Sequence, residues 1–207
     1  MSDGDVYKPV PREMRTPITD AGSVISEACD IFVRGLGSLI EKNGEDPEGH
    51  FFDNIFKKIW DDEATDGDRQ ERDFFDEFQK DPDEVSKFAM LHAILIAVSY
   101  SVQAMKAEKN SGLAWSYASS ANYWCGILKA TPYGYKEDKS HAASVMAKRR
   151  HAENYALAEI AKKHWKENID PKLSAQRAAT ELTKIVPLSH KKLAEIVSEA
   201  KKEMSGD

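Results

Sequence analysis

Cysteine is nearly missing. Cys29 and Cys125 are the only two. They lie far apart, and neither belongs to a CxxC, so the thiols offer no zinc or redox motif. Two thiols without a framework suit a reducing cytosol, and a disulfide between them stays open at this point. Glycine (11) and proline (8) are scarce among 207 residues, which excludes a fibrous or linker-dominated chain. Long hydrophobic runs are also lacking: the most apolar stretch, residues 88–98, is interrupted by His92 and is too short to span a bilayer. The opening MSDGDVYKPVPREM has no apolar h-region, so no signal peptide is expected and the predicted location is cytoplasmic.

Catalytic signatures are missing as well. There is no HExxH, no GxSxG and no Walker A loop. Gly35-Leu36-Gly37 falls inside a helical pattern. His92 lies on an apolar helix and reads as a core histidine, and Cys125 beside Trp124 reads as packing. The loop starting at Asp62 has Ala64 and Asp73 where an EF-hand needs its third and twelfth ligands. The expectation is therefore a protein with no enzyme activity, no metal and no cofactor.

What is present is charge, unevenly spread. Residues 1–130 carry 14 basic and 24 acidic side chains, and residues 131–207 carry 15 and 11. The first part is ill suited to a phosphate backbone, whereas the second can favour one. Solvated helix faces produce similar runs.

Apolar spacing of three and four residues predicts helices throughout, with no β-alternation. Residues 1–20, with three prolines, read as an extended arm. A helix is expected over 21–43, capped by Asp20 or Ser23 and closed by Asn43-Gly44. Phe51, Phe52, Ile55, Phe56, Ile59 and Trp60 mark a short aromatic helix. Phe74, Phe75 and Phe78 mark another, stopped by Asp81-Pro82 and expected in the core. Residues 83–109 read as the central buried helix, with Leu95 and Ile96 at its heart. Residues 113–130 form a small-residue helix with Trp115, Tyr117, Tyr123 and Trp124 as bulk. Thr131-Pro132-Tyr133-Gly134-Tyr135 is the predicted boundary. The fold class is all-α: an acidic helical bundle over 21–130, then a basic helical region over 138–204.

In that region a helix over 140–168 precedes a helical hairpin. The first arm covers 173–186, with an Ala178-Ala179 pair. Pro187-Leu188-Ser189 makes the turn, and Ser189 caps a second arm over 190–203. The segment resembles a helix-turn-helix, although its turn is longer than usual and lacks glycine. Residues 140–203 are also similar to C-terminal segments of uncharacterised proteobacterial phage and prophage proteins. That likeness rests on the basic-His-Ala-Glu-Asn start at 150–154, Trp165, the Ala-rich arm and the Val186-Pro187 turn.

The resemblance implies a regulatory protein of mobile-element type that binds duplex DNA. Ser189, His190, Lys191 and Lys192 would then reach base edges. Arg177, Lys184, Lys201, Lys202 and the cluster Lys148-Arg149-Arg150 would lie nearer phosphates, and the bundle would support homo-oligomer formation. The rival expectation is an acidic interaction module of inhibitor, anti-defence or immunity type. It would occupy a basic, nucleic-acid-binding partner through Asp61, Asp62, Glu63, Asp73, Asp76 and Glu77.

Overall fold

A computed structural model describes residues 14–130 and 141–205. The protein is all-α, and no strand occurs among the described residues. The chain divides into two compact units, residues 1–150 and 151–207. The predicted boundary at 131–135, the expected start of the basic region at 138 and most of the expected arm lie outside the described residues.

The first helix, α1, is Pro17–Lys42 and starts earlier than its apolar stripe. The cap is Thr16 rather than Asp20 or Ser23. Its Oγ1 accepts from the Thr19 amide at 3.1 Å, while the Thr19 hydroxyl accepts from the Thr16 amide at 2.8 Å. This reciprocal capping box, with Pro17 in the first turn where no amide is needed, fixes the start. Asn43 and Gly44, at φ 79°, end the helix as expected.

The aromatic segment is interrupted. Helix α2 (Pro47–Phe51) passes through a π-helical turn at Phe52–Phe56 into α3 (Lys57–Asp61). Its six apolar residues recur every four positions, and a regular α-helix would drift about 40° at each step. The wider π turn, in which the Lys57 amide reaches back to the Phe52 carbonyl, resets that drift. Phe51, Phe52, Ile55, Phe56, Ile59 and Trp60 are all buried.

Helix α4 is Gly67–Lys80, and α5 is Pro82–Lys106. Asp81 serves both: its amide donates to the Glu77 carbonyl, and its side chain accepts from the Glu84 amide at 3.1 Å. Asn110, at φ 57°, turns the chain into α6 (Gly112–Lys129), which Ser111 caps. Helix α5 packs against α1, α4 and α6, and α1 against α6. Among the described residues α5 is the one helix long and apolar enough to cross a membrane by length and composition, and most of that window is buried in the bundle. From Ala93 onward the helix is buried on most sides, which explains why that part has no polar stripe. Ile94 and Ile96 are core residues, but Leu95 is only partly buried. The centre of the core therefore lies on the opposite side of α5 from Leu95.

The second unit combines the end of α7 (His141–Asn168) with α8 (Ala175–Leu182) and α9 (His190–Ser205). Its core joins Ala161 and Trp165 of α7, Ala178, Ala179 and Leu182 of α8, Val186, and Leu193, Ile196, Val197 and Ala200 of α9.

Candidate functional site

Helix α4 lies on α5, and polar contacts at its first two turns join its ring contacts in holding it there. Gly67 is its only fully buried residue, and a Cβ there would meet the Tyr100 ring at 2.6 Å. The glycine therefore permits a close approach that no other residue allows. Tyr100 is buried, and its hydroxyl lies 2.7 Å from Glu71 Oε2 and 2.8 Å from Asp68 Oδ1. One phenol proton thus serves two carboxylates. Burial first, and then these two acids, push the Tyr100 phenol well above its ordinary value. Trp124 Nε1 donates to the same Glu71 oxygen at 3.0 Å. Ser99 Oγ donates to Gln70 Oε1 at 2.8 Å, and the Gly67 amide donates to Gln103 Oε1 at 2.9 Å. Nothing in the sequence expectations anticipated this cluster. Its signal was Tyr100, a hydroxyl in the middle of an apolar helix that needs a partner when buried.

The rings of α4 are not all core. Phe75 is 44% exposed and Phe78 40%. That corrects the expectation of burial. Phe74 is partly buried and joins a row of rings across three helices. It lies 5.4 Å from Phe75, 6.2 Å from Phe78, 5.6 Å from His92 and 5.7 Å from Trp124. Phe75 is 6.0 Å from Trp124, and Trp124 is 6.1 Å from Tyr123, which is 63% exposed. Phe88, expected inside, is 52% exposed. The rings stop being covered because α4 has only α5 and the Trp124 edge of α6 to lie on. His92 is accordingly a partly buried ring neighbour rather than a core histidine.

The acidic residues fall into two groups. Asp61, Asp62 and Glu63 act on Lys106, whose ammonium lies over the Trp60 ring at 5.4 Å and donates to the Trp60 carbonyl. Burial lowers the Lys106 pKa, and the three acids oppose that shift. Asp62 Oδ1 also accepts from the Ala64 amide at 2.8 Å. By contrast Asp73, Asp76 and Glu77 are exposed on α4 and form no ion pair or side-chain hydrogen bond among the described residues. Residues 66–84 hold nine acidic and three basic side chains.

The second unit brings part of the predicted basic set together. Ser189 caps α9 as expected, accepting from the Lys192 amide at 3.3 Å. Seven residues separate α8 from α9, confirming a long connection. His190 Nε2 donates back to the Gln176 carbonyl at 3.2 Å and lies 3.2 Å from Thr180 Oγ1, so it ties the two arms together. Lys184 pairs with Glu181 at 2.7 Å and Lys192 with Glu195 at 3.7 Å. Lys201 donates to the Leu173 carbonyl. Arg177 and Lys191 are exposed with no side-chain partner among the described residues.

A shallow groove of about 510 Å³ runs over Gln176, His190, Lys191, Glu195, Glu199 and Lys202, mixing both signs. Arg149, 6% exposed, is buried in the first unit and does not present its guanidinium to a phosphate. The side chains of Lys148 and Arg150 lie outside the described residues. With the division after residue 150, the second unit has ten basic and nine acidic residues. Much of the basic surplus expected of it belongs to 131–150.

Among the described residues no cluster of His, Cys, Asp or Glu is arranged to hold a metal ion. Cys29 and Cys125 are buried free thiols. No protein-family model, curated protein or solved structure matches the chain.

Proposed function

We propose that the chain is a non-enzymatic interaction module that engages a basic protein through the exposed acidic side of α4. The observation that carries this reading is the exposed run Asp73, Asp76 and Glu77, which forms no ion pair among the described residues, on a helix whose other side leaves two rings open. The open rings are Phe75 and Phe78. Contiguous exposed rings mark interaction sites, aromatics dominate binding energy, and unpaired surface charge steers association.

Charge reversal tests it. Asp73→Lys, Asp76→Lys and Glu77→Lys together should slow capture of a basic protein from a cell extract by about tenfold at low salt, with the difference fading at high salt. Capture that is unchanged by the triple reversal would remove α4 from the interface.

A second reading, duplex-DNA binding by the second unit, is favoured by one arrangement: the Ser189-capped α9 shares a core with α8, in which Ala178 and Ala179 are buried, while Arg177 and Lys191 are exposed with no side-chain partner among the described residues. It is weakened by the near-neutral charge and by the internal pairing of Lys184 and Lys192. A mobility shift at low salt decides it. If DNA binds, Lys191→Ala with Lys192→Ala should flatten the salt dependence by about one unit per lost phosphate contact.

A further inference from the structure

In a chain with 31% charged residues, a surface helix should carry charge on its water side. Helix α6 does not. From Gly112 to Leu128 it has no charged residue, and Lys129 at its end pairs with Glu27 at 3.4 Å. Its buried side packs on α1 and α5. On its outer side Trp115, Ser116, Ser119, Asn122, Tyr123 and Gly126 are all exposed. At about 100° per residue these six fall within about 120° of one another, with Ser119 near the middle. Loss of charge beside open aromatic rings distinguishes a contact surface from a solvated one.

The glycines of this face have no explanation inside the fold. Glycine in a helix interior is less favourable than alanine, and it is kept where another backbone comes close. A Cβ on Gly126 or on Gly112 would meet nothing within 4 Å. Neither residue has a positive φ. The close approach that would account for Gly126 has to come from outside the chain.

The order of the residues says which surface approaches. Read outward from Ser119, the face is the same in both directions. A small polar side chain stands three residues away (Ser116 and Asn122), a ring four away (Trp115 and Tyr123) and a glycine seven away (Gly112 and Gly126). An antiparallel second copy, related by a two-fold axis at Ser119, meets matching residues at matching heights. Ser119 then opposes itself, and Gly112 of one copy opposes Gly126 of the other. These positions lie on a seam that drifts only about 20° per seven residues, so the two backbones can come close along its length. In the layers between, Trp115 lies beside Asn122 of the second copy, and Ser116 beside its Tyr123. Asn122 Nδ2 already donates to the Ala118 carbonyl at 2.9 Å, which leaves its Oδ1 to accept from the Trp115 indole. Neither copy brings a charge into this contact.

We propose that the outer face of α6 is a homodimer seam, in which α6 pairs antiparallel with α6 of a second copy about Ser119. The area sets its strength. Trp115 is 39% exposed and Tyr123 63%. At about 200 Å² per ring side chain, two copies offer about 400 Å² of aromatic surface. The low end of stable interfaces is about 1,200 Å² in total, so the expected dimer is a concentration-dependent one in the micromolar range.

Sedimentation of the full chain between about 1 and about 200 μM should show a monomer–dimer equilibrium. It should tighten as salt rises, because two copies of net charge −6 repel at a distance. Ser119→Lys sets two like charges at the axis and should raise the dissociation constant at least about tenfold. Gly126→Gln fills the seam and should raise it by about tenfold. Both positions are exposed, and both replacements are better helix formers than the residues they replace. Circular dichroism and the denaturant midpoint should therefore not fall. Ser119→Cys should give a disulfide-linked dimer under mild oxidation. Leu113→Cys is an exposed control, about 120° round the helix from Ser119, and should give several-fold less. Cys29 and Cys125 are buried and stay out of the reaction.

A chain that remains monomeric over the whole range overturns the proposal. A dimer indifferent to Ser119→Lys and Gly126→Gln, or cross-linked equally well through Leu113→Cys, has its contact elsewhere and overturns it too. If Ser119→Lys leaves sedimentation unchanged but reduces capture of a basic protein, α6 serves that partner and not a second copy.

Discussion

Helix α4 and the α8–α9 hairpin are built from similar material, short amphipathic helices with one heavily charged side, yet they end differently. In the hairpin the apolar side is consumed. Ala178, Ala179, Leu182, Leu193 and Val197 are all buried, and much of the charge closes on itself through Lys184–Glu181 and Lys192–Glu195. On α4 the apolar side is left partly open, and the carboxylates on its other side form no ion pair among the described residues. The contrast shows why a run of charge is a poor guide to function by itself. Charge acquires meaning when its neighbours leave it unpaired and when apolar area remains open on the same element.

The largest expected effects come from the two cores. Ile94→Ala in the first unit and Leu193→Ala in the second should each cost about 2–5 kcal/mol, through lost burial and a residual cavity. Both side chains are fully buried. Denaturant titration checks each, and a loss below about 0.5 kcal/mol at either site would mean that its core had been misplaced. Next comes Gly67→Ala, which drives a methyl into the Tyr100 ring at 2.6 Å. Since the neighbour is a packed aromatic ring, the expected cost is about 1–3 kcal/mol.

Tyr100→Phe leaves the ring and removes the donor shared by Glu71 and Asp68, so about 1–2 kcal/mol should be lost. The contrast is sharpest at the surface. Phe75→Ala with Phe78→Ala should alter stability by less than about 1 kcal/mol. A larger loss of stability would show that these rings belong to the core after all. The smallest effect concerns Cys125. Burial pushes its thiol up to about 11, so the folded protein should resist alkylation at neutral pH and label fully only in denaturant. The sign also fixes a pH effect. Above the ordinary thiol range the unfolded state gains a thiolate that the folded state resists, so this group lowers stability as pH rises from about 9 toward 11.

The all-α class was readable in the sequence because a 3.6-residue apolar period needs no tertiary information. The helices over 113–130, 140–168 and 190–203 were located to within about two residues. Periodicity reports which side of a helix is apolar, however, and not whether another element covers it. Phe75, Phe78 and Phe88 carry the same pattern as Phe51 and Phe56, but only the latter are enclosed. The start of α1 was missed because its cap is Thr16, four residues before the apolar stripe begins, and only the Thr16–Thr19 hydrogen bonds disclose it. The charge asymmetry was real in the sequence. Its assignment to the hairpin depended on a boundary that spacing alone did not place. Of the acidic residues singled out, Asp61, Asp62 and Glu63 act on the nearby Lys106 charge, whereas no such partner is found for the α4 trio among the described residues.

The π turn at Phe52–Phe56 has a consequence for sequence change. It acts as a one-residue surplus within an otherwise helical segment, so deleting Asn54, an exposed residue inside it, should leave a continuous α-helix of ordinary geometry. Helicity would survive, and because the π turn already absorbs the extra residue, the residues on either side would keep nearly the same phase about the helix axis. The six buried aromatic and aliphatic side chains would therefore stay on one face. The segment would thus tolerate loss of one residue inside this turn far better than gain of one in the regular helix on either side, which would turn the two halves by about 100° relative to one another.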